Sequence, residues 1–153
     1  MRQSTICFLR RSSQLALAVK KRGFGAGHLN GYGGKVKPGE TPEAAAVREL
    51  AEESGVHISE AALIPMGYVH FYIGGEHIFQ CFLFIADAWE GEPIETDEMR
   101  PEWVERDTVP FDRMWAADRL WIPLTLAGTR IEGEILYAAD KTTVESFTWH
   151  EAA

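Results

Sequence analysis

The sequence predicts a mixed α/β fold, and three observations predict it. Short runs rich in branched and aromatic residues alternate with turn signals. Residues 42–54 carry the punctuation and patterning of an amphipathic helix. Between the first strands and that helix, residues 23–34 read GFGAGHLNGYGG, with six glycines in twelve positions, an irregular loop suited to close contact with a ligand. At 153 residues and 46% apolar content, the chain is long enough for one core and short for two, so residues 1–153 are expected to form a single domain.

Taken in order, residues 5–9 and 15–19 read as paired strands around a polar turn at 10–14. Thr41 is placed to cap the following helix, with Pro42 at its first position, Glu43 in its first turn and Gly55 as its stop. On a helical wheel Ala44, Val47, Leu50 and Ala51 fall opposite Glu49, Glu52 and Glu53, so the acidic face is expected to look out of the core. Residues 63–73 and 77–85 suggest a hairpin about Gly74 and Gly75. Residues 115–127 have helical character, with Pro123 implying a start near Ile122 or a kink. Residues 131–137 and 143–149 read as a second strand pair around 139–141, and no internal repeat is evident.

A net charge of −8 and a pI near 5.1 argue against sequence-independent binding to nucleic acid or to an anionic membrane, which favours basic patches. Cys7 and Cys81 are the only cysteines; both sit in apolar strand-like runs and are expected to be reduced core thiols, as suits a cytoplasmic protein. The apolar run 6–9 is broken by Arg10 and Arg11, too short for a signal peptide, and no stretch is long enough to span a bilayer. The histidines show no ligand spacing for zinc. GFGAG is no dinucleotide fingerprint, because Asn30 stands where the third glycine would fall.

Chemistry concentrates on the helix. Glu49, Glu52 and Glu53 recur three and four residues apart, and like charges at that spacing cost a helix a few tenths of a kcal/mol each. Alone, they read more readily as a solvated face with an ordinary Arg48–Glu52 ion pair than as a metal site. The adjoining glycine loop, whose carbonyls can complete an oxygen-rich shell, and Glu40 at the junction favour a divalent metal acting on a phosphate.

From Gly34 the pattern continues as five residues, Glu40, seven residues, Arg48-Glu49-Leu50, one residue, Glu52-Glu53, one residue, Gly55-Val56. This resembles the complete signature of the Nudix hydrolases, spanning residues 34–56. The resemblance implies an α/β/α sandwich with a central mixed sheet and Mg²⁺-dependent cleavage of a nucleoside diphosphate derivative, with Mn²⁺ as a possible substitute. It implies Glu49, Glu52 and Glu53 as metal ligands beside the Gly33 carbonyl, Glu53 as a candidate base, and Arg48 as the group that positions the carboxylates. Glu98, in the segment 95–100 that reads as a loop, is implied as a further ligand or base. Such chemistry must neutralise the phosphates, position a water and remove its proton.

Outside that signature, KKRGFGAG at 20–27, NGYGGKV at 30–36, TDEMRP at 96–101, Met114-Trp115 and Trp121-Ile122-Pro123 resemble the animal branch of the family that hydrolyses oxidised purine nucleoside triphosphates to the monophosphate and pyrophosphate. That resemblance covers roughly residues 5–150. It implies Phe24, Phe71, Met99 and Trp115 as walls of a base pocket, Thr5, Asn30 and Asp118 as polar contacts, and Lys20, Tyr32, Gly33, Gly34 and Lys35 along the rest of the nucleotide. Two departures stand out: Ala117 replaces the first of two adjacent aspartates, and His28-Leu29 replaces an arginine and a tryptophan, which is expected to alter loop packing. The small-molecule nucleotide is the expected partner and a monomer the default. Other derivatives remain open as substrates, among them ADP-ribose, dinucleoside polyphosphates and O6-methyl-dGTP, as does a non-catalytic nucleotide-binding module.

Overall fold

A computed structural model describes residues 1–153. Strands β1 (Gln3–Arg11) and β2 (Gln14–Lys20) form an antiparallel hairpin, but they pair directly only over Leu9–Arg11 and Gln14–Ala16. Beyond that point the glycine-rich segment enters between them. Its short strand β3 (Leu29–Asn30) pairs with Ala18 and Val19, while Tyr32 and Lys35 bridge to Cys7 and Ser4 of β1. The close approach explains one glycine directly, because a Cβ on Gly33 would lie 1.8 Å from the Thr5 carbonyl oxygen.

The rest of the sheet follows from hairpins and crossovers. Helix α1 (Pro42–Ser54) leads on to β4 (Leu63–Ile73), which turns into β5 (Glu76–Ala86) through Gly74 and Gly75, with φ of 58° and 83°. Two positive φ values in a two-residue turn match the twist of antiparallel strands. β5 pairs parallel with β1 and antiparallel with β4; β4 pairs parallel with β7 (Ile131–Tyr137), and β8 (Val144–Glu151) closes that edge. The mixed sheet runs β3-β2-β1-β5-β4-β7-β8, with β6 (Met99–Glu105) on the other side of β2.

Strand alternation divides the apolar side chains between two cores. Cys7, Leu9, Ala16 and Ala18 join Ala46 and Leu50 of α1 on one face. Phe8, Leu15 and Leu17 join Trp121, Ile122 and Leu126 of α2 (Asp118–Leu126) on the other. The result is an α/β/α sandwich. The ends of α1 are those the sequence predicts: the Thr41 hydroxyl accepts the Ala44 N–H at 3.1 Å, and Gly55, at φ 76°, donates its N–H to Ala51. Such a cap contributes about 1 kcal/mol.

Three expectations need correction. The buried side of α1 is formed by Ala45, Ala46, Leu50, Glu53 and Ser54, whereas Ala44, Val47 and Ala51 are only partly covered. Glu53 therefore does not look out with Glu52; it is 4% exposed and turned toward the sheet. Residues 99–105 form a strand, although the sequence suggests loop through Arg100; Arg100, Pro101 and Glu105 mask its alternation, as is common on edge strands that must resist further pairing. Helix α2 starts at Asp118 and carries Pro123 inside it. Its first turn is tied by the Asp118 carboxylate, which accepts the Trp115 N–H and the Trp121 Nε1–H, each at 3.1 Å.

Candidate active site

Arg48 organises the acidic face of α1. Its guanidinium donates to both oxygens of Glu40 at 2.8 and 2.9 Å, to Glu49 at 2.8 Å, to Glu52 at 3.3 Å and to the Lys35 carbonyl at 2.9 Å. One cation thus fixes the glycine segment and two helix turns together. The Arg48 hydrogen bonds, helped by the Lys37 N–H, hold the Glu40 carboxyl down to about 2.

Glu53 is treated in the opposite way. It accepts the Gly33 N–H at 2.9 Å, but burial, reinforced by the charges of Glu49 and Glu98, pushes its carboxyl up to about 8. Glu49 is also raised, chiefly by burial, with Glu52 and Glu98 adding to the effect against Arg48. Its carboxylate packs against Gly34, where a Cβ would lie 2.5 Å from the carboxyl carbon. Glu98 is exposed, 3.6 Å from Arg22, in a turn where the Thr96 hydroxyl donates to the Glu53 carbonyl and accepts the Glu98 N–H.

Glu52, Glu53 and Glu98 each lie within electrostatic reach of Glu49, and the four make a donor set of hard oxygens, as a divalent cation requires. The Gly33 carbonyl beside them receives no hydrogen bond. No three acidic, histidine or cysteine side chains converge as a ready-made cage, because Glu49 is held by Arg48 and Glu53 by the Gly33 amide. The chemistry of the set fits such an ion, and a shift of Glu49 or Glu53 off these partners would free their oxygens for it.

Glu53, Gly33 and Gly34 also line a cavity of about 270 Å³ that reaches from the acidic face into the α2 side of the sheet. Phe71, Met99, Phe24 and Trp115 contribute its apolar walls. Thr5, Asn30, Lys20, Lys35 and Asp118 contribute polar groups. Thr5 and Ser4 present buried hydroxyls with no hydrogen-bond partner, an arrangement that leaves them ready for a ligand. Burial pushes the Asp118 carboxyl up to about 7, against the stabilising Trp121 and Trp115 hydrogen bonds.

Trp115 is less open than a free stacking platform. The His28 imidazole lies parallel to it at 4.5 Å between ring centroids, Phe24 stacks at 5.2 Å, and Gly25 packs closely enough that a Cβ would be 3.1 Å from the indole. His28 is also tied to the loop itself, its Nδ1 lying 3.1 Å from the Gly25 carbonyl oxygen. Phe24 remains half exposed at 53%.

Tyr32 does not join the cavity. It is fully buried in the α1-side core, because an extended segment that turns Gly31 and Gly33 toward the cavity must turn Tyr32 away. Glu49, Glu52 and Glu98 do not line the cavity either. The motif reading misses Ile73, Ile78, Phe79, Trp121 and Tyr137, which also line the cavity; the alternation of β4, β5 and β7 is the signal that could have found the strand residues.

Fold and site together define a hydrolase of the NUDIX class: residues 1–125 match the NUDIX domain, and the chain belongs to that family. Within it, the chain is 45% identical to the oxidized purine nucleoside triphosphate hydrolase of Danio rerio over 142 residues, covering 92% of this chain and 90% of that protein. The Mus musculus protein of the same name is 38% identical over 148 residues, covering 96% of this chain and 93% of its own length. Among solved structures, the mMutator MutT protein from Bacillus halodurans superposes with a TM-score of 0.81 at 25% identity, covering 97% of both chains. No helix is long and apolar enough to cross a membrane.

Proposed function

We propose that the chain is a Mg²⁺-dependent pyrophosphohydrolase of oxidised or otherwise modified purine nucleoside triphosphates such as 8-oxo-dGTP, releasing the monophosphate and pyrophosphate. It would act as a cytoplasmic monomer that removes damaged nucleotides before they are used, with no nucleic-acid or membrane partner. The observation that carries this proposal is the shared cavity: Glu53, Gly33 and Gly34 line it together with Trp115 and Asp118. A nucleotide whose base lies at the apolar end brings its phosphates to the carboxylates. The names of the zebrafish and mouse relatives point to the same substrate class.

Glu49, Glu52, Glu53, Glu98 and the Gly33 carbonyl would hold the ion, with Mn²⁺ able to substitute. A bound divalent cation would neutralise the phosphate charge and polarise the attacked phosphorus. Glu53 is assigned to take the proton from the attacking water; burial raises its affinity for that proton, and a cation bound beside it would favour the ionised form a base needs. Arg48 keeps the carboxylates aligned without touching the substrate, and Lys20 and Lys35 offset phosphate charge. Thr5, Asn30 and Asp118 hydrogen-bond the nucleoside, while Phe24, Phe71, Met99 and Trp115 exclude water from the base.

Glu53→Gln tests the assignment. Turnover of 8-oxo-dGTP with Mg²⁺ is expected to fall by at least about a hundredfold, while nucleotide binding, measured by calorimetry, survives. Turnover near that of the wild type would overturn the role given to Glu53.

A further inference from the structure

Tyr137, the last residue of β7, is almost fully buried at 3% exposure, and it lines the same cavity as Asp118. Its hydroxyl oxygen accepts the backbone N–H of Ala117 at 2.9 Å. No acceptor receives the phenolic proton. A hydroxyl both donates and accepts, and accepting a hydrogen bond strengthens its donor side. Asp118 follows Ala117 directly in the chain and lines the same cavity, and its two carboxylate oxygens accept one hydrogen bond each from Trp115 and Trp121. Each of those oxygens retains further acceptor capacity.

We propose that the Tyr137 hydroxyl is a specificity-determining hydrogen-bond donor to the base, and that with the Asp118 acceptor it selects purines presenting a carbonyl oxygen next to a ring N–H. This inference rests on the nucleotide-hydrolase function proposed above and names the base edge that function takes. A 6-oxopurine offers that edge: O6 receives the Tyr137 proton, and N1–H donates to Asp118. A 6-aminopurine offers the reverse pattern and leaves the Tyr137 donor facing another donor. Ala117 has no side chain that can supply this contact, so the pocket draws its donor from β7, across the fold.

The alternative role for the hydroxyl is purely structural, pinning the start of α2 to β7 through Ala117. Tyr137→Phe separates the two, because the ring is retained and only the hydroxyl is lost. With Mg²⁺, kcat/KM is measured for 8-oxo-dGTP and 8-oxo-dATP on both proteins, with thermal melting as a check on folding. The ratio of the first substrate to the second is expected to fall by about tenfold, mainly through KM for 8-oxo-dGTP. An equal fall for both substrates, or no change, leaves the ratio unaltered and overturns the role given to Tyr137. If the wild-type chain hydrolyses neither nucleotide, nor any other purine triphosphate, the proposed function fails first and this inference with it.

Discussion

Asp118 shows how one side chain can be legible in sequence while its physics is not. Its position after Trp115 marks it as a pocket residue, but only the structure shows both oxygens engaged and the carboxyl pushed up to about 7 by burial. A carboxyl raised in the folded state favours folding while it is protonated. Its contribution is therefore fully present below the unfolded value near 4 and is lost as pH rises toward 7. Relative to Asp118→Asn, metal-free wild-type protein is expected to lose on the order of 4 kcal/mol of stability between pH 4 and pH 8. Urea unfolding at a series of pH values reads this directly, and parallel pH profiles would contradict it. Tyr137 was hidden for another reason: a tyrosine closing an apolar strand looks like core until the fold brings it to the start of α2. The motif containing Tyr32 suggests contact with the nucleotide, but strand alternation outweighs the motif and turns the ring into the other core.

At the level of elements, Gly33 and the Gly34 that opens the signature have separable tasks. A Cβ at Gly33 would meet the Thr5 backbone at 1.8 Å, whereas one at Gly34 would meet the flexible Glu49 carboxylate at 2.5 Å. Gly33→Ala is expected to force apart the pairing of β1 with the glycine segment, which includes Thr5 N–H to Gly34 O and the Cys7–Tyr32 bridge. A loss of roughly 2 kcal/mol or more should follow, visible as a lower melting temperature. Gly34→Ala should melt nearer the wild type but turn over substrate about a hundredfold more slowly, because Glu49 is displaced from Arg48. If the two variants behave alike, the division of labour is wrong. The ends of α1 were readable because Thr41, Pro42 and Gly55 specify them locally. Its buried face was misread because burial there is set by the sheet and the glycine segment, to which Glu53 turns. β6 escaped notice because an edge strand keeps its charges and its proline.

Across the whole molecule, the sheet splits between β1 and β2, and the glycine segment fills the split. That arrangement places the acidic face of α1 at one end of a cavity whose other end is built from β4, β5, β7 and the start of α2. The acidic end was legible, because the signature lies in one continuous stretch. The end lined by Trp115 and Asp118 comes from residues far apart in sequence, so only a resemblance could name part of it. The most direct measurement is pyrophosphate release by the wild-type chain with Mg²⁺, comparing kcat/KM for 8-oxo-dGTP and dGTP with and without EDTA. Faster hydrolysis of the oxidised nucleotide, by about tenfold or more, with EDTA abolishing both reactions, is the expected result. Equal kcat/KM for the two nucleotides, or release that persists in EDTA, would contradict the proposed function.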